Sequence, residues 1–235
     1  MAGWVKKPPD VRRNELLDSA QDLFFSKGYE ATTVADIMER AGVSKGGFYH
    51  HFTSKDDLLE ALVERMATRA LARLQPILEE KGLDAVACMN AVLSRSRQLK
   101  AEDAPVIRAT FDIVFRPENV ALYHRLNRAV NRVMMPLFVD IITRGKMEGR
   151  FRIDDPTTTA EIIVQLGAST YNAVARAIEA VGTPQADEAA AALDERLRQH
   201  GLAIDRILGL PDGTLVYSEP GFAKAVLNVP AGRKR

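Results

Sequence analysis

The amino-acid sequence predicts an all-α fold, and three observations support this prediction. Apolar residues recur at helical spacing along most of the 235 residues, so each stretch would bury one face of a helix. Serine, threonine and aspartate residues precede several of these stretches, and glycine or proline follows them, as at the starts and ends of helices. Alternating apolar and polar residues, which indicate strands, are scarce.

The first predicted helix spans about residues 10–27. Pro8 and Pro9 mark its start, and Gly28 is suited to end it in a left-handed conformation. Its amphipathic stripe consists of Leu16, Leu17, Ala20, Leu23 and Phe24.

Three further helices are predicted before Pro76. The second opens at Thr33, with Asp36 three residues later in a capping-box arrangement, and breaks at Gly42. The third opens at Ser44 and runs to about residue 51. The fourth opens at Ser54 and runs to near residue 75.

The turn between the second and third helices is short, Ala41-Gly42-Val43-Ser44. Ala41 is small where two helices cross closely, Gly42 supplies a positive φ, and Val43 fills a small core. Three helices within about fifty residues, two of them joined in this way, predict a helix-turn-helix.

The remaining chain is predicted to stay helical to about Gly209 and then to change character. Pro211-Asp212-Gly213 forms a turn, and Pro220-Gly221 and Pro230 preclude a long helix, so an extended or partly disordered tail is expected. The predicted helices are roughly 83–100, 103–115, 118–148 (kinked at Pro136), 156–181 and 186–208. The predicted domains are 10–56, 57–209 and the tail 210–235.

Composition excludes several classes of protein. With 46% hydrophobic and 27% charged residues, the chain resembles ordinary soluble domains, and no apolar run is long enough for a membrane span. The first ten residues lack a signal-peptide core, so a cytoplasmic protein is expected. The single Cys88 gives neither a disulfide framework nor a multi-cysteine zinc site. No phosphate-loop, metalloprotease or serine-hydrolase motif occurs, so no enzyme activity, cofactor or metal is expected.

The charge of the chain argues against a nucleic-acid partner unless basic and acidic side chains lie on different surfaces. The net charge is +1, and residues 1–60 carry eight basic and ten acidic side chains, which gives −2. Basic residues nevertheless cluster near the first helix, at Lys6, Lys7, Arg12 and Arg13. A DNA-binding surface would therefore depend on placement rather than on total charge.

Residues 33–55, TVADIMERAGVSKGGFYHHFTSK, resemble the DNA-binding signature of the tetracycline-repressor (TetR) family of bacterial regulators. The resemblance is specific over about residues 11–65 and only architectural beyond. The matching positions are Thr33, Val34, Ile37, Ala41 to Ser44, Tyr49, His51, Phe52, Ser54 and Lys55. The first helix matches as well, at Ala20, Leu23, Phe24, Gly28 and Tyr29.

The resemblance implies a dimeric regulator, by family habit a repressor, that binds a palindromic operator and releases it when a small molecule binds. The third helix would enter the major groove by its N-terminal end, and its glycines would let the backbone approach the DNA. Tyr49 and Lys55 would bind phosphates, as Thr33 could, whereas Lys45 and His50 would read bases. The full predicted set is Thr33, Ser44, Lys45, Gly46, Gly47, Tyr49, His50 and Lys55.

The C-terminal domain is expected to serve two purposes. Small and apolar residues on helices 156–181 and 186–208 suit a four-helix homodimer interface. Segments 83–148 could enclose a pocket for a largely apolar effector. The residues predicted to line it are Met89, Phe111, Phe115, Tyr123, Asn127 and Asn172.

Two alternatives remain open at this point. The chain could be an enzyme or stand-alone ligand-binding helical protein whose first three helices are structural. It could also be an interaction protein that retains the fold without specific DNA binding, which Gly47 and the charge of −2 favour slightly.

Overall fold

A computed structural model of the protein describes residues 8–116 and 119–227, and regular structure within them is entirely helical. The helices are α1 Pro9–Ser26, α2 Val34–Ala41, α3 Lys45–His51, α4 Lys55–Leu78, α5 Ala85–Glu102, α6 Ala104–Val114, α7 Val120–Met147, α8 Pro156–Ala168, α9 Tyr171–Glu179, α10 Ala186–Leu208 and α11 Phe222–Leu227. The all-α prediction is confirmed. Lys6, Lys7, Pro230 and the basic residues 233–235 lie outside the described residues.

The predicted starts of α2, α3 and α4 are confirmed by side-chain caps. Thr33 Oγ1 accepts from the Asp36 N–H at 3.1 Å, while an Asp36 carboxylate oxygen accepts from the Thr33 N–H at 2.7 Å. Ser44 and Ser54 cap α3 and α4 in the same way, at 3.2 and 3.0 Å. Gly42 ends α2 with φ +60°, a conformation that favours glycine.

The helix-turn-helix shares one hydrophobic core with the C-terminal half. Apolar residues of α1 to α4 pack together with residues of α6 and α7. The helices α4 and α7 also lie along one another. The innermost members of this core are Leu16, Leu17, Ile37, Phe48, Phe52 and Leu58, joined by Ile113, Val114, Leu122 and Leu126. A movement of α6 or α7 therefore acts directly on the N-terminal helices.

Two further cores complete the C-terminal half. The larger one brings together α4, α5, α7, α8 and α10, with Ile142, Phe151 and Leu208 among its buried members. The smaller one lies between α9, α10 and α11 and includes Leu193 and Leu227.

Two predicted helices differ in extent from the observed ones. The helix α4 continues through Pro76 to Leu78, whereas α7 contains Pro136 as predicted. The predicted helix 156–181 is wrong as a single element, because α8 ends and α9 begins around Ser169 and Thr170. The Thr170 hydroxyl donates to the Gly167 carbonyl at 2.6 Å, a local side-chain bond of the kind that competes with helix continuation.

The predicted tail has no long helix, as expected, but residues 211–227, which we call the strap, are held against the helices rather than disordered. The carboxylate of Asp205 in α10 is fully buried. It accepts the N–H groups of Gly213, Thr214 and Leu215 at 2.7, 3.1 and 3.0 Å. A proline-rich segment can thus be ordered without long helices when its backbone groups find partners elsewhere.

Two more side chains tie the strap to distant helices. The Asn90 side chain of α5 donates to one strap carbonyl at 3.0 Å and accepts from one strap N–H at 2.9 Å. The Asp194 carboxylate of α10 accepts two N–H groups at the start of α11, at 2.7 and 2.8 Å. Leu215 is 4% exposed, so the strap also contributes to the core.

In the described ranges, no helix is both long and apolar enough to cross a membrane.

Candidate nucleic-acid interface

The helix α3 buries one side and exposes the other. Phe48 and Phe52 are 0% and 2% exposed, and their rings lie 6.0 Å apart inside the first core. Tyr49 is 50% exposed, and Lys45 and His50 are exposed as well. The aromatic pair therefore fixes the orientation of α3, and the polar side chains face solvent.

Spacing on α3 brings the predicted contact residues next to one another. Lys45 and Tyr49 are four residues apart, as are Gly46 and His50, so each pair occupies neighbouring positions on the helix surface. Ser44, which caps the helix, is also exposed. The first N–H groups of α3 and the positive end of its dipole lie at this end.

Gly47 has a role that the sequence analysis missed. A β-carbon on Gly47 would lie 2.6 Å from Cγ1 of Val43, whereas one on Gly46 would have no neighbour within 4 Å. Gly47 is thus required by packing inside the turn. Only Gly46 has the open surroundings expected of a residue that lets DNA approach.

Thr33 and its neighbours form a compact polar cluster at the start of α2. The Lys27 ammonium contacts the Asp36 carboxylate at 2.7 Å. This hydrogen bond and those from Thr33 lower the pKa of Asp36 to about 2. Thr33 is exposed, although its hydroxyl oxygen already accepts one helix N–H.

Lys55 differs from the other predicted contacts. Its ammonium donates to the carbonyls of Tyr29 and Thr32 at 2.8 and 3.1 Å, and it lies 4.1 Å from the centre of the Tyr29 ring. Lys55 therefore ties the loop between α1 and α2 to the start of α4. Its binding of phosphate stays a prediction.

Tyr29 is anchored at both ends. Its hydroxyl donates to the Asp56 carboxylate, and the ring is 5% exposed. Burial, followed by the Asp56 carboxylate, raises the pKa of Tyr29 well above its usual value. The tyrosine stays neutral and continues to donate at every physiological pH.

Ion pairs leave the net charge of the N-terminal region unchanged, but they show where several of its acidic side chains lie. Three of these acids pair with basic side chains in or next to α1, α2 and α4, while Lys45 forms no ion pair within the described residues. The ion pairs are Arg65 with Asp18 and Arg40 with Asp22, each at 2.8 Å, and Lys27 with Asp36 at 2.7 Å.

The histidines of α3 have different environments. Burial lowers the pKa of His51, and the nearby His50 and Arg13 lower it further. His51 is therefore neutral at pH 7 and acts as a packing residue. His50 is exposed, and its contact with DNA stays a prediction.

Three of the six predicted effector residues come together. Phe111, Phe115 and Tyr123 form an aromatic cluster with Tyr171, which the sequence analysis did not select. Tyr171 stacks on Phe115 with the ring centres 5.1 Å apart. Tyr171 directly precedes the predicted Asn172 in the sequence, and this position next to a predicted effector residue could have identified it.

The other three predicted effector residues lie elsewhere. Met89 is buried in the second core, Asn127 lies half-buried one turn beyond Tyr123, and Asn172 is exposed on α9. None of the six lines the small apolar cavity between α1, α4 and α6, whose walls include Phe24, Leu62 and Ile113.

An exposed recognition helix, held by buried aromatics after a tight glycine turn and joined to a larger helical domain, defines a helix-turn-helix DNA-binding protein. Residues 16–62 match the family described as bacterial regulatory proteins, tetR family, and residues 106–173 match a tetracyclin repressor-like C-terminal domain. The chain belongs to the TetR family and is a DNA-binding transcriptional regulator.

Curated relatives agree with this assignment. The HTH-type transcriptional repressor AcnR of Corynebacterium glutamicum is 32% identical over 144 residues, which cover 57% of this chain and 73% of AcnR. The HTH-type transcriptional repressor KstR2 of Mycolicibacterium smegmatis is 29% identical over 154 residues, covering 66% of this chain and 74% of KstR2.

Solved structures share the fold. RolR bound to resorcinol has a TM-score of 0.58 at 18% identity, covering 97% of this chain and 98% of RolR. FadR from Bacillus subtilis bound to stearoyl-CoA has a TM-score of 0.53 at 20% identity, covering 78% of this chain and 96% of FadR. Resorcinol and stearoyl-CoA are ligands of those two proteins, and at such identities the structures establish the fold alone.

Proposed function

We propose that this chain is a homodimeric transcriptional repressor that binds a palindromic operator and releases it when a small, largely apolar effector binds. The observation that carries the proposal is the exposed face of α3, where Lys45, Tyr49 and His50 stand above the buried Phe48 and Phe52. The naming of AcnR and KstR2 as repressors supports repression rather than activation.

The contacts to DNA divide by position on α3. Lys45 and His50 read base edges in the major groove, because both are exposed on α3, Lys45 at the N-terminal end and His50 on the following turn. Tyr49, Ser44 and Thr33 contact phosphates and fix the register. Gly46 lets the backbone approach. Lys55 positions α4 against the α1–α2 loop and adds positive charge toward the DNA backbone.

Dimerisation is proposed through α8, α9 and α10, as the sequence predicts. Ile162 of α8 is 49% exposed, and α10 exposes the small residues Ala191 and Ala192. A dimer formed through this surface would bind the operator when its two recognition helices lie about 34–36 Å apart, as two successive major grooves require.

The effector signal is proposed to pass from α6 and α7 to α4. Arg125 of α7 pairs with Glu60 of α4 at 2.9 Å, and Arg132 lies 3.7 Å from Glu64. Residues of α6 and α7 also belong to the core that holds α3. A ligand that favours another arrangement of α6 and α7 would therefore change the separation of the recognition helices.

The proposal is tested by selecting duplexes from a random library with the purified protein and titrating the enriched sequence. We expect a palindromic consensus, one or more whole dimers per site, and affinity that falls steeply with salt. Lys45→Met should relax discrimination between the selected and random duplexes. Arg128→Met, at an exposed position of α7, is the control.

A second candidate is an interaction protein that keeps the fold without specific DNA binding. The charge of −2 over residues 1–60 and the absence of a side chain at Gly47 favour it. Binding that is only micromolar and independent of sequence at low salt would support this alternative and contradict the repressor.

A further inference from the structure

A buried arginine in α6 lacks part of its hydrogen bonding. Arg108 is 7% exposed, and its Nη2 pairs with a carboxylate oxygen of Asp112 at 2.7 Å. Its Nη1 is buried and has no hydrogen-bond partner among the described residues. A buried guanidinium nitrogen normally has at least one acceptor, since a buried donor without an acceptor is destabilising.

The missing partner is an acceptor atom rather than a charge. Asp112 already balances the positive charge of Arg108 through a close contact. A second carboxylate on the same guanidinium would lie near Asp112 and repel it, in surroundings where burial strengthens electrostatic interactions. An uncharged oxygen, such as a carbonyl, satisfies Nη1 without that repulsion.

The surroundings of Arg108 are aromatic. Positions 108, 111, 112 and 115 lie on one stripe of α6, because they are three or four residues apart. This stripe carries Phe111 and Phe115, whose rings lie 5.1 Å apart and continue into the cluster with Tyr123 and Tyr171. Arg108 therefore stands at the polar end of an aromatic surface.

The strap forms another wall of the same region. Phe111 packs against the third core, which includes Ala223 and Leu227 of α11, and α11 contacts α6. Residues of α7, α9 and the strap thus lie against the aromatic part of the stripe on α6.

We propose that Arg108 is the polar recognition group of the effector site, and that the effector is an uncharged, ring-containing apolar molecule bearing a carbonyl oxygen. The carbonyl accepts from Nη1 of Arg108, while the ring lies against the aromatic cluster. The proposal rests on the proposed function, because it assigns the chemistry of the effector that releases the operator.

The test uses three ring compounds of similar size that differ at one group: 2-acetylnaphthalene, 2-ethylnaphthalene and 2-naphthoate. Their binding to the full-length protein without DNA is measured by calorimetry and ligand-observed NMR. We expect the ketone to bind about tenfold more tightly than the ethyl compound, through one hydrogen bond to a charged donor. The acid should bind more weakly than the ketone.

Variants separate recognition from folding. Arg108→Met with Asp112→Leu removes the buried guanidinium together with its half-buried carboxylate partner, which leaves no unpaired ion and is tolerated in comparable sites. This double variant should keep the fold by circular dichroism and bind the ketone and the ethyl compound equally. Asp112→Asn removes the repulsion and should raise the affinity for 2-naphthoate. Arg128→Met should behave as the wild type.

Several outcomes would overturn the proposal. These are no saturable binding of the ketone, equal affinity for the ketone and the ethyl compound, tighter binding of the acid, or a ketone preference that persists in the double variant. The measurement involves no DNA. If the ketone does not bind as expected, the result of the operator selection is unaffected. If no operator is selected, the ligand-binding result is unaffected.

Discussion

A β-carbon on Gly47 would lie 2.6 Å from Cγ1 of Val43. The first turn of the recognition helix therefore lies in direct contact with the turn that precedes it. Ser44 reinforces this contact, since its hydroxyl caps the same residue at 3.2 Å. The two adjacent glycines of α3 consequently have different purposes, one internal and one facing outward.

The two glycines should respond differently to alanine. Gly46→Ala should leave stability unchanged or raise it by up to about 1 kcal/mol, because alanine is the better helix former. Gly47→Ala should be less stable than Gly46→Ala by about 1–3 kcal/mol, since Val43 must move. Urea unfolding of both variants measures the difference. Equal stabilities would show that Val43 adapts freely.

Gly46→Ala should nevertheless impair DNA binding. The new methyl group would stand on the exposed first turn of α3, where the backbone approaches DNA. We expect affinity for the selected operator to fall about tenfold, or about 1.4 kcal/mol. Titration by fluorescence anisotropy measures it, and unchanged affinity would place the DNA elsewhere on α3.

Lys45 and Lys55 provide a matched pair of substitutions. Lys45→Met should preserve stability and relax sequence discrimination. It should also reduce, by about one, the slope of log affinity against log salt concentration. Lys55→Met should weaken binding to all sequences alike. It should also destabilise the protein by about 1–3 kcal/mol, because the carbonyls of Tyr29 and Thr32 lose their charged donor.

Both lysine variants are compared by salt titration on specific and random DNA and by urea unfolding. If Lys55→Met weakens DNA binding while stability stays unchanged, the lysine acts on phosphates alone. In that case its contacts to the two carbonyls contribute little to the fold.

Asp205 should be the main attachment point of the strap. Asp205→Asn keeps the shape of the side chain but offers one acceptor oxygen to three backbone N–H donors. We therefore expect the free energy of unfolding to fall by about 2–3 kcal/mol. Hydrogen exchange should become faster in residues 213–217. Asp212→Asn, at the exposed ion pair with Arg206, is the control and should change little. Comparable effects of the two substitutions would argue against a special role for Asp205.

Stability should depend on pH through His200. Burial lowers the pKa of His200, opposed by its contact with the Leu166 carbonyl at 2.5 Å, and the charge of Arg196 lowers it further. Because the unfolded histidine has a pKa of about 6.5, the unfolded state binds more protons just below that pH. The contribution of His200 is therefore complete above pH about 6.5 and is lost as pH falls toward the folded pKa.

His200→Gln should remove this dependence while keeping a donor for the Leu166 carbonyl. In urea unfolding between pH 7.5 and 5, the free energy of unfolding of the wild type should fall by at most about 1.4 kcal/mol per pH unit. The fall should be smaller in the variant. His124→Gln, at an exposed position, is the control. Identical slopes for wild type and His200→Gln would assign the pH dependence to other groups.

Features encoded locally were predictable from the sequence. Thr33 with Asp36, Ser44 and Ser54 lie within four residues of the helix starts that they cap, and Gly42 adopts the positive φ expected of it. The exposure of Lys45, Tyr49 and His50 likewise follows from the helical spacing around Phe48 and Phe52.

Features that depend on distant partners were not predictable. Lys55 finds its carbonyl acceptors 23 and 26 residues earlier, and Asn90 finds its strap partners more than 120 residues later. The part of the strap before α11 has few helix-forming residues, so its order depends on Asp205, Asp194 and Asn90. Arg108 was missed because an arginine in an amphipathic helix ordinarily faces water.

The strap also determines when the chain can finish folding. A ribosome makes Asn90 124 residues before Thr214, and it makes Asp205 before the three N–H groups that the carboxylate accepts. Until the strap emerges, α5 and α10 carry polar groups that must stay hydrated, so the second core cannot close during synthesis. A chain interrupted before Pro211 would have helices α1 to α10 but none of these partners, so we expect it to be less stable and more readily degraded than the finished chain.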